Sequence, residues 1–185
     1  MGDVGWLSAV EERAWRGYRR MKGHLDLQIS RDLAADSGLS DSDYDVLSTL
    51  TEAPDPVWRA RDLAARLLWS SSRLAHHVGR MERRGLVARG GCSDDGRGAT
   101  VELTEEGWRQ LRDAAPLHVA SVRRHFIDLL TPVEIEVLAA ISAKVLVHLE
   151  PLGAADAHSD TGGPATQRAV KIESAAFPLR SADDQ

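Results

Sequence analysis

The sequence predicts a mainly α-helical chain with one small β-hairpin near its middle and long helices on either side. Three observations carry that expectation. Apolar residues recur at helical spacing from the start, at Leu7, Val10, Ala14, Tyr18, Met21, Leu25, Ile29 and Leu33. Within residues 60–103, two short helical stretches precede two short apolar strands around the polar loop G-G-C-S-D-D-G-R-G. A second pair of long helical patterns follows residue 104. Helix, turn, helix and hairpin in that order make a helix-turn-helix with a wing.

The first helix is expected over residues 6–35. It is longer than a small core can cover, so its excess apolar face predicts a partner and hence a dimer. Ser37, Gly38 and Ser40 close it. Ser40 and Asp43 form a capping box for a second helix carrying Tyr44, Val46, Leu47 and Leu50. Pro54 and Pro56 break the chain. A third helix is expected over 60–67, with Arg59 and Arg61 at its start. Ser70 caps a fourth, which ends at Gly85. Leu86 and Val87 begin a strand that residues 99–103 answer.

Thr104, with Glu105 and Glu106 in the first turn, opens a long helix expected to reach Leu130. Thr131, Pro132 and Glu134 start the last helix, whose apolar face is Ile135, Leu138, Ile141, Val145 and Leu149. Past Pro151 the composition turns to Gly, Ala, Asp, Ser and Thr, which predicts a disordered tail over 153–185. Four parts follow: support and dimerisation helices over 1–57, a winged module over 58–103, C-terminal dimerisation helices over 104–152, and the tail.

Charge is distributed unevenly. The chain carries 23 basic and 28 acidic residues, a net charge of −5. Arg59 to Arg97 holds nine Arg and four acidic residues, a local net of +5, whereas residues 1–58 hold six basic and eleven acidic, a local net of −5. Positive charge thus collects on the module, where backbone phosphates need it. The single cysteine, Cys92, rules out an intrachain disulfide framework and fits a reducing compartment. With no apolar run of about 20 residues and no secretory signal, a cytoplasmic location is expected. No Gly-rich nucleotide loop, nucleophile elbow or metal-ligand cluster is present, so neither an enzyme nor a cofactor is expected.

The fourth helix is the expected reading helix. Leu74, Val78 and Met81 form its inward face, against Leu63 and Leu67, and His77 stands at the margin of that core. Ser71, Ser72, Arg73 and His76 face outward at the end that enters the major groove. Arg can take guanine O6 and N7 bidentately, and Ser and His can meet base edges or phosphate. Arg80, Arg83 and Arg84 suit phosphates or internal salt bridges equally. Arg89 at the base of the wing is a phosphate candidate. Arg97, between Gly96 and Gly98, suits the minor groove, and Asp95 would orient either Arg97 or the recognition helix.

The stretch S-S-S-R-L-A-H-H-V-G-R-M-E-R-R-G-L-V, the wing element Asp95-Gly96-Arg97 and the following V-E-L-T-E-E-G resemble the multiple-antibiotic-resistance regulator (MarR) family of bacterial transcription factors, over residues 12–150. The resemblance implies a homodimer held by its first, fifth and sixth helices. Such a dimer binds an inverted repeat in double-stranded promoter DNA, usually as a repressor, and is often released by a small phenolic or aromatic effector. It matches Ser71, Ser72, Arg73 and His76 to recognition-helix contacts and Arg97 to the wing tip. His77, often aliphatic in the family, and the extra glycines Gly90, Gly91 and Gly98 depart from the pattern. In the family architecture Trp15, Tyr18 and Trp108 would wall the effector site, with Arg19 or His24 meeting an acidic group; packing is the alternative role for these aromatics. Activation in place of repression, or a winged module that binds protein instead of DNA, remain the rival readings. Redox sensing at Cys92 lacks a resolving cysteine, and His118 with His125 lacks a carboxylate arrangement for a metal.

Overall fold

The computed structural model describes residues 5–52, 57–91 and 98–156. Two compact units divide the chain at Leu129 and Leu130. The first unit runs α1 (Ala9–Ser37), α2 (Asp41–Leu50), β1 (Val57–Arg59), α3 (Ala60–Arg66), α4 (Ser71–Arg83), β2 (Val87–Gly90), β3 (Thr100–Leu103), α5 (Glu105–His125) and a 3-10 turn (Ile127–Leu129). The second holds α6 (Pro132–Asp156).

Local chemistry sets most of the boundaries. Ser8 and Glu11 make a reciprocal capping box, so α1 begins at Ala9, three residues later than expected. Gly38 ends it at φ 69°, a left-handed conformation that favours glycine. Ser40 and Asp43 form the expected box at α2. The end of α4 is a Schellman motif: the Gly85 N–H donates to Glu82 O (2.9 Å), the Leu86 N–H donates to Met81 O (3.0 Å), and Gly85 has φ 73°. Thr104 accepts from Gly107 N at 3.0 Å to open α5. Thr131 and Glu134 box the start of α6.

Four expectations are corrected. Val57–Arg59 is a strand, and the sheet has three antiparallel strands in the order β1-β3-β2, with Trp58 opposite Val101 and Arg89 opposite Val101 on the other side. The long fifth helix stops at His125 instead of Leu130, because Phe126 leaves helical geometry at φ −143° and ψ −65°. The last helix continues to Asp156, four residues into the expected tail. His77 is 5% exposed and lies within the core rather than at its margin. The remaining tail residues 157–185, with Phe177 and Leu179, lie outside the described residues, as do Cys92, Asp95 and Arg97.

The core of the first unit joins Leu33 of α1, Val46, Leu47 and Leu50 of α2, Leu63 of α3, and Leu74, Val78 and Met81 of α4 to Leu86, Val101 and Leu111. Burying each such aliphatic side chain contributes about 1.5–3 kcal/mol. This fixes the inward face of α4 and therefore which residues it leaves outside. Gly107 allows α5 to approach the start of the wing, since a Cβ there would lie 2.0 Å from Leu86 O. Higher up, Asp32 of α1 accepts hydrogen bonds from Ser121 Oγ (2.7 Å) and Arg124 Nη2 (2.9 Å) of α5, and from Gln28 of its own helix. Those bonds hold the Asp32 carboxyl well below the usual carboxylate range, the Ser121 bond most of all. Among the described residues no helix is long and apolar enough to cross a membrane.

Candidate nucleic-acid interface

Helices α3 and α4 are joined by a tight turn in which Leu68 adopts φ 55° although it is not glycine. The Trp69 N–H donates to Ala64 O at 2.9 Å, which locks the turn against α3. Ser70 then caps α4 by accepting from Arg73 N at 3.2 Å. Ser71, Ser72 and Arg73 of the first turn are exposed, as are His76 and Arg80. That first turn contains no acidic residue, whereas α1, α2, α5 and α6 all carry at least one in theirs. The positive end of the α4 dipole is left uncompensated, which suits an approaching phosphate backbone.

Arg73 is not loose. Its guanidinium carbon lies 4.1 Å from the centroid of the Trp69 ring, well inside cation–π range. Trp69 meets His77 edge-on, with ring centroids 5.3 Å apart at 82°. Arg80 Nη2 lies 2.7 Å from His77 Nδ1. Arginine can only donate, so Nδ1 carries the lone pair and His77 is the neutral tautomer with its proton on Nε2. That Nε2 stands 3.1 Å from Asp43 Oδ1 but out of line, so no hydrogen bond forms. Burial pushes the His77 pKa down, more strongly than the Asp43 carboxylate lifts it.

Asp43 gathers the far end of the helix. Arg84 Nη1 donates to its Oδ2 at 2.7 Å, and Ser40 adds a backbone bond at 3.0 Å and a hydroxyl bond at 2.8 Å. Burial alone would raise the Asp43 pKa; the Arg84 bond and then the Ser40 bonds outweigh it and leave the carboxyl below its ordinary value. A shallow recess of about 420 Å³ opens over Asp43, His77, Arg80 and Arg84.

A second recess of about 430 Å³ separates α4 from the wing and is lined by Arg59, Arg61, Ser71, Leu74, Arg89 and Thr100 among others. Arg59 and Arg61 are exposed there. Arg89 lies back across α4, with Nη2 donating to Ala75 O at 2.6 Å and Nε 3.4 Å from Glu82. Gly79 makes room for it, since a Cβ would come 3.0 Å from that Nη2. Arg89 therefore braces the wing against α4.

The aromatic residues separate. Trp15 and Tyr18 stack at 6.0 Å on the exposed part of α1, with Arg19 6.0 Å over Trp15. His24 is exposed on the same helix. Trp108 instead packs against the core from the first turns of α5. Neither recess is lined by any of these five. His118 lies against the Tyr44 ring at 4.3 Å and His125 is 2.9 Å from Asp32. No metal-binding group of three or more side chains exists among the described residues. Sequence reasoning missed Trp69 and Asp43 as site residues; the four-residue spacing from Trp69 to Arg73 was the available signal.

A sequence model of the MarR family matches residues 37–98. The chain is similar to AbsC, a MarR family transcriptional regulator from Streptomyces coelicolor, at 40% identity and a TM-score of 0.75, over 80% of this chain and 99% of AbsC. It is also similar to Sco3205, a MarR family transcriptional regulator from the same organism solved in complex with DNA, at 36% identity and a TM-score of 0.76, over 82% and 94% of the two chains. CouR from Rhodococcus jostii RHA1, solved bound to p-coumaroyl-CoA, shares the fold at 23% identity and a TM-score of 0.63, over 75% of this chain and 95% of CouR. No curated protein sequence matches the chain.

Proposed function

This chain belongs to the MarR family of transcriptional regulators, and from that premise we propose that it represses transcription by binding an inverted repeat in promoter DNA as a homodimer. The observation that carries the reading is the first turn of α4: exposed, free of acid, and presenting Ser71, Ser72 and Arg73 from a rigid core. The DNA complex of Sco3205, a 36% identical relative, supports it. Arg73 and His76 would read base edges, Ser71 and Ser72 phosphates or bases, and Arg59 and Arg61 the phosphate backbone. Arg97 would enter the minor groove, with Asp95 orienting it. Arg80 and Arg89, already engaged inside the protein, would set geometry first and touch phosphate second.

Residues 58–103 are the reading module in this account, and 1–57 with 104–152 the dimer frame. Support comes from large apolar side chains left in solvent: Trp6, Leu7, Val10 and Met21 on one side of the sequence, Val137, Ile141 and Val145 on the other. Trp15, Tyr18 and Arg19, with His24 and Trp108, are the proposed contacts for a small aromatic acid that releases DNA.

Selection of bound fragments from the source genome, followed by salt titration of the best fragment, tests the function. A dimer with a steep loss of affinity as salt rises is expected. A monomer with no fragment preference at moderate salt would refute it. Adding aromatic acids to the same complex tests release.

A further inference from the structure

We propose that Trp69 is a positioning residue that holds Arg73 ready for base recognition, an inference that rests on the reading of Arg73 given above. Trp69 occupies the position just before the Ser70 cap, four residues ahead of Arg73. Long side chains in a helix lean toward its N-terminus, so Arg73 is directed back over Trp69, and its guanidinium carbon sits 4.1 Å from the ring centroid.

The indole is a fixed platform. Its backbone N–H is held by Ala64 O, its body packs against the core, and His77, itself 5% exposed, meets it at 82°. The strained φ of Leu68 sets the turn that delivers it.

A cation in the first turn of a helix faces the positive end of the dipole and is disfavoured there. The negative face of the indole offsets that cost and at the same time limits where the guanidinium can go. One face of the guanidinium is covered while its N–H edges remain free to donate. Ordering Arg73 before contact lowers the entropy lost when it meets the O6 and N7 acceptors of a guanine. The residue therefore acts on specificity, through Arg73, without needing to touch DNA.

The test is a double-mutant cycle in the full-length chain, with the best genomic fragment and a random duplex of equal length at one salt concentration. Trp69→Leu is expected to lower the preference for the fragment about five-fold, and Trp69→Phe to retain more of it. In an Arg73→Ala background, Trp69→Leu should change the preference by less than about two-fold, because the group it positions is gone. Equal losses in the two backgrounds, or an unchanged preference in Trp69→Leu, would overturn the proposal while leaving Arg73 as a reader. An unchanged preference in Arg73→Ala alone would remove the base reading and the positioning role together. Should Trp69→Leu fail to fold, nitrogen-15 NMR decides: a ring-shifted Arg73 Nε–H resonance in the wild type that moves only part of the way toward the free-arginine position in Trp69→Phe supports the stack, and a wild-type resonance already at that position refutes it.

Discussion

The two ends of α4 carry the same residue type in opposite circumstances. At its last turn and just beyond, Arg84 is tied to buried Asp43 and Arg80 to buried His77. At its first turn Arg73 closes no ion pair among the described residues and rests on an indole face. Arginines that donate to partners inside the protein have spent hydrogen-bonding capacity on the fold. An arginine on an aromatic face keeps its donors. The helix is thus anchored by cations at one end and offers a cation at the other, and burial of the partner separates the two roles.

Breaking the anchored end should have the largest effect. Asp43→Ala removes the α2 capping box and leaves Arg84 and His77 without their carboxylate. The expected loss is about 2–4 kcal/mol in chemical denaturation. A loss within experimental error would mean the anchor does not hold. Gly107→Ala tests the same end from the α5 side, where the new Cβ would meet the Leu86 carbonyl that follows the Schellman turn. About 1–3 kcal/mol of destabilisation is expected, with the preference between specific and random DNA retained by the folded fraction.

A smaller effect should appear with pH. Burial pushes both His77 and His118 below the ordinary value of 6.5. The unfolded chain therefore binds protons before the folded one, and stability should fall as pH drops below about 6.5. Asp43, whose pKa is lowered from 3.8, adds a second loss at more acid pH as its carboxylate is protonated. Melting curves between pH 8 and pH 5 check the first limb, and His77→Gln should flatten it. A stability that rises on acidification would show that His77 is stabilised as the cation, contrary to the geometry around Nδ1.

The anchored end and the free end were not equally legible. Several helix starts and stops were readable because caps are local: Ser40 with Asp43, Ser70, Gly85, and Thr131 with Glu134 each act within a few residues. Helical periodicity also exposed the outer face of α4. Strand β1 was hidden because Val57–Arg59 becomes a strand only by pairing with Thr100–Glu102, more than forty residues away. The end of α5 was missed since no Gly or Pro marks Phe126. Which arginines are occupied could not be read locally: Arg84 and Asp43 are 41 residues apart in sequence. His77 looked marginal by its place on the helix, and its burial follows from α2 and Trp69 closing over it.

The division of labour along α4 is tested most directly by comparing Arg73→Ala with Arg84→Met, each measured for thermal stability and for binding to the best genomic fragment and to random duplex. Arg73→Ala should keep the wild-type melting temperature and lose about 10- to 100-fold in preference for the fragment, whereas Arg84→Met should melt earlier and keep its preference. The reverse pattern, with Arg73→Ala unstable and Arg84→Met unselective, would contradict the account.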